Sequence, residues 1–456
     1  MRHKKSCSLF TVHCSLFFIL FTGYCLLFTA SSAHAGIEIK REALSNGLTL
    51  MVVERHNVPV VNVALGIKAG SMAEPAEKAG LANLTAELLT EGTKKRTAGE
   101  ISETMEFVGA SLDTSGGDDF VTATLSVLKK DLDLGFDMLS DIIINPSFLP
   151  DELNKKRTRI KGGLKSREED PNFVAEREFK NAVFGSYPYG RLIEGSAETL
   201  DRITQQDLID FYSAYYAPNN AMISIVGDIT MEEAKTLLKK YFSGWNKKEI
   251  KITMSAKPGP LKETKIITVD KDITQANIIL GHLGISRDHP DYYSVLVMNY
   301  ILGGGGFTSR LMQNVREEKG LVYDIHSFFD ADKETGSFQV GLQTKNESAD
   351  TAIDEVLKEI KLMRDSGASD AEIADAKSFL KGSFPMKIET GRRIANFLIA
   401  VEFYGLGMDY VSKYPAYINN VTKEDVLRVA KKYLDPEKFA LVVVANQKKA
   451  SVKFFK

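Results

Sequence analysis

Cysteine is almost absent from this chain: Cys7, Cys14 and Cys25 are the three it has, and none follows residue 25. From residue 36 onward it can therefore form neither a disulfide nor a thiolate metal site, and an oxidising compartment would not harm it. Histidine is scarce too. Past the first 35 residues only His56, His282, His289 and His326 occur, scattered along the sequence; each reads as ordinary surface or core, because a zinc site needs its ligands grouped. Positive charge is not in excess, with 58 Lys and Arg against 60 Asp and Glu, which excludes a basic nucleic-acid footprint. No apolar run of membrane-spanning length lies beyond the first 35 residues.

Those first residues have their own pattern. Arg2, Lys4 and Lys5 precede an apolar stretch from about Leu16 to Phe28, and Ala33-His34-Ala35 closes it. This is the order of a secretory signal peptide with an A-x-A cleavage site after Ala35. Thr22, Gly23 and Tyr24 interrupt the apolar run, and small residues follow it where a membrane anchor would carry a charged stop. With no lipid-attachment cysteine at the cleavage point, the expected location is the periplasm or exterior of a bacterium, with no membrane association after cleavage and a mature chain starting at Gly36.

At 456 residues, 44% hydrophobic and 26% charged, the chain is too long for one hydrophobic core and has the composition of a soluble globular protein. It repeats itself. Asn62-Val63-Ala64-Leu65-Gly66 is echoed by Asn277-Ile278-Ile279-Leu280-Gly281, and Glu152-Leu153 with Lys161-Gly162 by Glu372-Ile373 with Lys381-Gly382. Ile203-Thr204-x-x-Asp207-Leu208 is echoed by Val421-Thr422-x-x-Asp425-Val426, and Tyr215-x-x-Pro218 before Ala221–Val226 by Tyr433-x-x-Pro436 before Phe439–Val444. Four ordered matches at nearly one offset mark a tandem duplication. Each half begins rich in strand signals, continues in helices, and closes with a helix capped by Thr204 or Thr422 and an apolar strand. Helical spacing runs over Asp131–Ile144, Glu152–Leu164, Thr351–Met363 and Glu372–Phe384; their charged faces, Lys155-Lys156-Arg157 included, read as solvated surface. The expected fold class is α+β, with two tandem homologous domains, each a mainly antiparallel sheet packed against helices. The boundaries are 36–250 and 265–456, joined by a linker over 251–264 around Pro258-Gly259-Pro260.

The first domain carries Gly80-Leu81-Ala82-Asn83-Leu84-Thr85-Ala86-Glu87-Leu88-Leu89-Thr90-Glu91-Gly92-Thr93. This resembles the pitrilysin/insulinase family of zinc peptidases, in its processing-peptidase-like branch, whose segment reads G-L-A-H-x-x-E-H-x-x-x-x-G-T. Ala69-Gly70-Ser71 and Glu74-Pro75 before it, and Ser186-Tyr187-Pro188-Tyr189-Gly190-Arg191 and Gly227-Asp228 after it, agree as well. The motif's chemistry needs two histidines four apart, so that both imidazoles leave one helix face toward zinc, and a glutamate between them to take a proton from metal-bound water. Here Asn83 and Glu87 stand at the histidine positions and Ala86 at the glutamate. The family's third ligand, some 76 residues on, falls near Gly162 and Gly163. Glu87 could offer one oxygen, but Asn83 is a weak neutral ligand, so no metal is expected in this chain. Glu168-Glu169-Asp170 before Pro171 reads as a solvated helix end.

The second domain holds Leu302-Gly303-Gly304-Gly305-Gly306-Phe307-Thr308-Ser309-Arg310-Leu311, then Val315-Arg316-Glu317-Glu318-Lys319-Gly320-Leu321-Val322-Tyr323. It is similar to the family's G-G-x-x-S-R-L…R-E-x-x-G-L-x-Y signature. No Lys-Ser or Lys-Thr follows the glycines, so they read as a flexible, substrate-facing turn and not as a phosphate loop. The resemblance implies that Arg316 and Tyr323 face a zinc site and hold the substrate carbonyl, where a guanidinium and a phenol can donate to an oxyanion. The bland alternative is an Arg316 paired with Glu317 or Glu318 and a Tyr323 in the core. Dimers of the branch include some that divide labour between a zinc subunit and a subunit keeping only the arginine and tyrosine. The resemblance therefore implies a non-catalytic, substrate-positioning subunit of a periplasmic heterodimeric zinc metalloendopeptidase, with zinc in a homologous partner and a peptide or unfolded protein as substrate. Two alternatives stand beside it: a peptide-binding or scaffold protein with no role in hydrolysis, and a residual peptidase with an unusual metal site.

Overall fold

Period-2 burial organises two sheets of the same plan. The computed structural model describes residues 37–251 and 257–450; the leader, its cleavage point and the three cysteines lie outside the described residues, as does part of the expected linker. In the first half the strands are β1 (Lys40–Ala43), β2 (Thr49–Glu54), β3 (Val60–Ile67), β4 (Ser111–Ser115), β5 (Val121–Leu128) and β6 (Ala221–Gly227). Its helices are α1 (Leu81–Glu87), α2 (Ala98–Phe107), α3 (Leu132–Ile144), α4 (Pro150–Arg167), α5 (Pro171–Phe184), α6 (Ala197–Arg202), α7 (Gln205–Tyr215) and α8 (Met231–Phe242). The second half has β7 (Lys265–Asp270), β8 (Gln275–Leu283), α9 (Tyr292–Asn299), β9 (Val322–Phe329), β10 (Ser337–Lys345), α10 (Ala349–Ser366), α11 (Asp370–Ser383), α12 (Gly391–Tyr404), α13 (Tyr410–Asn419), α14 (Lys423–Tyr433) and β11 (Ala440–Ala445).

The first sheet runs β1-β2-β6-β3-β5-β4 and the second β7-β11-β8-β10-β9, so that after β1 the two orders coincide strand for strand. Each is antiparallel except for one pair, β2 with β6 and β7 with β11. The duplication and the α+β architecture are thus both present. The closing helices begin as the sequence says: Thr204 Oγ1 accepts from Asp207 N while Asp207 Oδ2 accepts from Thr204 N at 2.8 Å, and Thr422 and Asp425 repeat the reciprocal cap, satisfying donors that open a helix.

The halves exchange a helix. Strand β11 is buried along its whole length; Leu441, Val443 and Ala445 face the second-half core, while Ala440, Val442 and Val444 pack under Val174, Ala175, Phe179, Ala182 and Val183 of α5, a helix of the first half. Reciprocally, α12 of the second half lies on β3 and β6, close enough that a Cβ on Gly66 would sit 2.7 Å from Ile399 Cγ2. A sheet buried on both faces explains why β6 and β11 are near-continuous apolar runs and not alternating ones. From Ile39 the chain accordingly forms a single unit, further tied by the bidentate pair of Arg41 with Glu402 at 2.7 and 2.9 Å. Among the described residues no helix is long and apolar enough to cross a membrane.

Candidate functional site

Helix α1 is only seven residues long and is buried from Leu81 to Ala86. It starts at Gly80, whose φ of 98° is a left-handed conformation that favours glycine. Its first amide groups are held by a carboxylate: Glu74 Oε1 accepts from Gly80 N at 3.0 Å and Oε2 from Ala82 N at 2.8 Å. Burial pushes the Glu74 carboxyl up to about 7, against the pull of those two N–H groups and of Arg191. The 116–119 loop after β4 presses on the helix, since a Cβ on Gly116 would come within 2.7 Å of Asn83 Cα.

Asn83 and Glu87, one turn apart, share a face of α1, and Asn83 Nδ2 donates to Glu87 Oε1 at 2.9 Å. Ala86 is fully buried. Opposite them, Lys156 of α4 places its Nζ 3.4 Å from Glu87 Oε2 and 2.6 Å from Glu91 Oε1. The reading of Lys155-Lys156-Arg157 as solvated surface holds for Lys155, whose side chain is 67% exposed, and is corrected for Lys156 and Arg157. The Lys156 side chain is only 10% exposed, and Arg157 donates to the carbonyls of Leu200 and Ile203. Both are taken up because α4 packs its lysine face on α1 and its arginine beside the end of α6; helical periodicity alone cannot tell a face against solvent from one that meets carboxylates and free carbonyls. Gly163 follows Lys156 by seven residues, two helical turns along the same side of α4, and a Cβ there would meet nothing within 4 Å.

This donor set does not fit a zinc ion. One amide, one methyl group, one carboxylate and a glycine replace the four groups that the chemistry needs, and the remaining negative charge is matched by the Lys156 ammonium. Among the described residues, no three or more His, Cys, Asp or Glu side chains group so as to hold a metal. The four histidines are dispersed: His56 pairs with Asp228 at 2.7 Å, His282 is buried and accepts from Asp435 N, His289 meets Tyr433, and His326 lies beside Asp324 at 3.2 Å.

The second-domain signature is a turn only in its second part, over Gly306–Thr308. Gly303 and Gly304 continue α9 as a wide helical turn over Tyr300–Gly304, and a Cβ on Gly303 would collide with Ser327 of β9 at 2.4 Å from its Oγ. Gly303 is there for close approach, which corrects the turn reading at the start of the run; at its end the chain does turn, with Gly306 exposed at a φ of 57°. Arg310 is structural: it grips Glu372 at the start of α11 through two bonds of 2.6 and 2.9 Å, and that contact pulls the Glu372 carboxyl down to about 2. Arg316 lies in a second wide turn, Met312–Glu318. Its guanidinium is 3.2 Å from Glu317 Oε1 and stands over the Phe307 ring at 5.1 Å. Tyr323, at the start of edge strand β9, is 72% exposed, so it is not a core residue. Among the described residues no hydrogen bond or ion pair joins Arg316 or Tyr323 to the Asn83, Glu87 and Lys156 cluster.

Comparison with known proteins defines the class. Residues 50–197 match the family described as insulinase, peptidase family M16, and residues 202–380 match the peptidase M16 inactive domain. The chain belongs to peptidase family M16, as a member without the catalytic motif. Its fold superimposes with a TM-score of 0.85 on the crystal structure of a peptidase M16 inactive domain from Pseudomonas fluorescens, at 27% identity, covering 91% of this chain and 99% of that one. It is 26% identical over 352 residues, 77% of this chain and 85% of the relative, to the uncharacterized zinc protease YmxG of Bacillus subtilis. It is 25% identical over 397 residues, 87% and 91% of the two chains, to the non-peptidase homolog YmxG of Helicobacter pylori.

Proposed function

We propose that this chain is the non-catalytic, substrate-positioning subunit of a periplasmic heterodimeric zinc metalloendopeptidase, its zinc-bearing partner being a homologous chain and its substrate a peptide or unfolded protein. The observation that carries this reading is the contrast between two places in one molecule. At the zinc-motif positions, Asn83, Glu87 and Lys156 satisfy one another and leave neither a base nor a ligand set. At the second signature, Tyr323 is held out to solvent at 72% exposure, and the Arg316 guanidinium meets one carboxylate, Glu317, beside the Phe307 ring and the Met312 sulfur. A phenol and a guanidinium presented this way are donors that can stabilise charge developing on a peptide carbonyl held at another subunit's metal. The relative described as a non-peptidase homolog is consistent with this division of labour.

One observation favours the scaffold reading: the contact between Arg316 and Glu317 at 3.2 Å is the pairing that a purely structural arginine would make. A reconstitution separates the two. A homologous chain with an intact H-x-x-E-H motif, from the same genome, is assayed for peptide cleavage alone and with this chain present. A co-purifying complex that cleaves faster than the partner alone supports the subunit; a complex that forms without changing turnover supports the scaffold.

A further inference from the structure

Helix α5 packs its apolar residues on β7, β11 and β8, against Val269, Val442, Val444, Ile279 and Leu283. Beyond them the sheet continues into β10 and β9. Phe338, Val340, Leu342 and Ile325 of those strands point into the second-half core. The residues between them stand on the face that α5 shares: Gln339, Gly341 and Gln343 of β10, in register with Phe328, His326 and Asp324 of β9. A groove of about 240 Å³ runs along this strip, bounded by Ile279 and by Asn172 and Glu176 of α5.

One polar atom at the groove lacks a partner. Gln339 is 2% exposed, and its Oε1 is buried without a hydrogen bond among the described residues. A buried acceptor left this way is costly unless a donor arrives from outside the chain. Gln343, by contrast, gives its Nε2 to Asn277 Oδ1 at 3.3 Å.

Both ends of the groove are acidic. Asp324 closes one end, opposite Gln343, and meets only the His326 ring, at 3.2 Å. Glu176 lies toward the other end: it raises the Asp330 carboxyl, and Asp330 N donates to Ser337 O, two residues before Gln339. Lys180 Nζ is 3.6 Å from Glu176, too far for a hydrogen bond, and its charge is shared with Asp118, Asp330 and Asp332. Gln339 and Gln343 are four residues apart, so the two ends are separated by about 13 Å. Between them Gly341 leaves room: a Cβ there would lie 3.2 Å from His326 Nε2, and the His326 and Phe328 rings stand within 13° of parallel as a flat wall. Among the described residues no three His, Cys, Asp or Glu side chains group to hold a metal, so these carboxylates do not converge on a single ion.

We infer that this groove binds a linear polyamine, one terminal ammonium meeting Glu176 and the Gln339 amide oxygen, the other meeting Asp324, and the methylene chain lying over Gly341 between Ile279 and the His326 and Phe328 rings. An alkylammonium has three N–H donors and no acceptor, which suits a site built of acceptors, and aromatic faces favour a cation beside them. The volume suits a bare alkyl chain better than a polypeptide backbone, so the ligand is a free polyamine and not a lysine-bearing segment. The inference is independent of any role for Arg316 and Tyr323.

Calorimetric titration of the mature chain tests it at about 0.15 M salt, which screens diffuse attraction to surface carboxylates. The probes are spermidine, octane-1,8-diamine, octane-1,8-diol, propane-1,3-diamine and acetyl-Lys-Ala-Lys-amide. Spermidine and octane-1,8-diamine bind about tenfold or more tighter than the neutral diol, the scale of a charge-assisted hydrogen bond, and tighter than the short diamine, which cannot span the groove, and the peptide. Glu176→Gln and Asp324→Asn change side chains that are more than half exposed, so the fold survives, and each weakens the long diamines by about tenfold. Gln339→Met removes the buried acceptor and weakens them by about fivefold. Equal binding of diamine and diol, equal binding of the short diamine, tighter binding of the peptide, binding unchanged in either carboxylate variant or in Gln339→Met, or no binding of spermidine at millimolar concentration overturns the proposal.

Discussion

The Lys156 ammonium sits 3.4 Å from Glu87 Oε2 and 2.6 Å from Glu91 Oε1, and so supplies positive charge beside the helix position where the zinc peptidases of this family carry their second histidine. The charge balance is built from protein groups. Losing the catalytic motif has not left a hole: Asn83 donates to Glu87, Glu87 meets Lys156, and Lys156 reaches on to Glu91.

Lys156→Met keeps the length and removes the charge, leaving two carboxylates facing each other across a mostly buried place. The variant is expected to lose about 1–3 kcal/mol, below the full cost of breaking a buried pair because both glutamates are partly exposed. Adding Glu87→Gln and Glu91→Gln should recover much of it. Urea unfolding measures both, and an unperturbed single variant would mean that the lysine is a bystander.

The same ammonium is an obstacle to rebuilding a metal site. Asn83→His with Glu87→His is expected to bind zinc weakly, because Gly163 supplies no third ligand and Lys156 repels the ion at short range. Adding Gly163→Glu, whose Cβ has open space, and then Lys156→Ala should tighten binding by about tenfold or more at the last step. Competition against a chromogenic chelator reads the series. Tight binding by the first double variant would contradict this account of the site.

Asp332 gives a pH prediction. Burial, reinforced by Asp119, Asp330 and Asp118, pushes its carboxyl up to about 7 from an ordinary 3.8. A raised folded-state value means that its contribution to stability is fully present below about 3.8 and is lost as pH rises through about 7. Asp332→Asn should therefore stabilise the protein at pH 8 by about 1 kcal/mol or more, one pKa unit being worth about 1.4, with a much smaller gain at pH 5. Urea midpoints at the two pH values check the sign; an equal effect at both would show that the shift is not felt by the fold.

The exchanged helices predict joint unfolding. Phe179 of α5 is fully buried beneath β11, and Phe179→Ala should cost about 3–5 kcal/mol. The only tryptophan, Trp245, lies in the first-half core. Val442→Ala in the second-half sheet should still move the Trp245 fluorescence transition, because α5 crosses to that sheet; a tryptophan transition blind to Val442 would mean that the halves unfold separately.

Much of this was legible in the sequence, for physical reasons that differ by element. The capped helices at Thr204 and Thr422 were visible because a capping box is local and sets its own geometry. The two-sheet repeat was visible because a duplicated core repeats its apolar spacing. The helix exchange was not, because the amphipathic faces of α5 and α12 are the same whichever sheet they cover. Lys156 was missed for a related reason: in a charged triplet on an amphipathic helix, nothing local says which lysine meets a carboxylate from another element. Gly303 was misread because a close approach and a flexible turn both need glycine, and only the position of Ser327 decides between them.

Peptide cleavage by the reconstituted complex carrying Arg316→Ala, with dimer yield recorded alongside, tests most directly whether Arg316 and Tyr323 act on substrate held at a partner's zinc. Arg316→Ala is expected to lower turnover by roughly 10²–10³, the range for one lost oxyanion donor, with Tyr323→Phe costing less and the dimer forming normally in both. Cleavage at the unmodified rate by a normally assembled Arg316→Ala complex would contradict the claim and leave the signature a structural one.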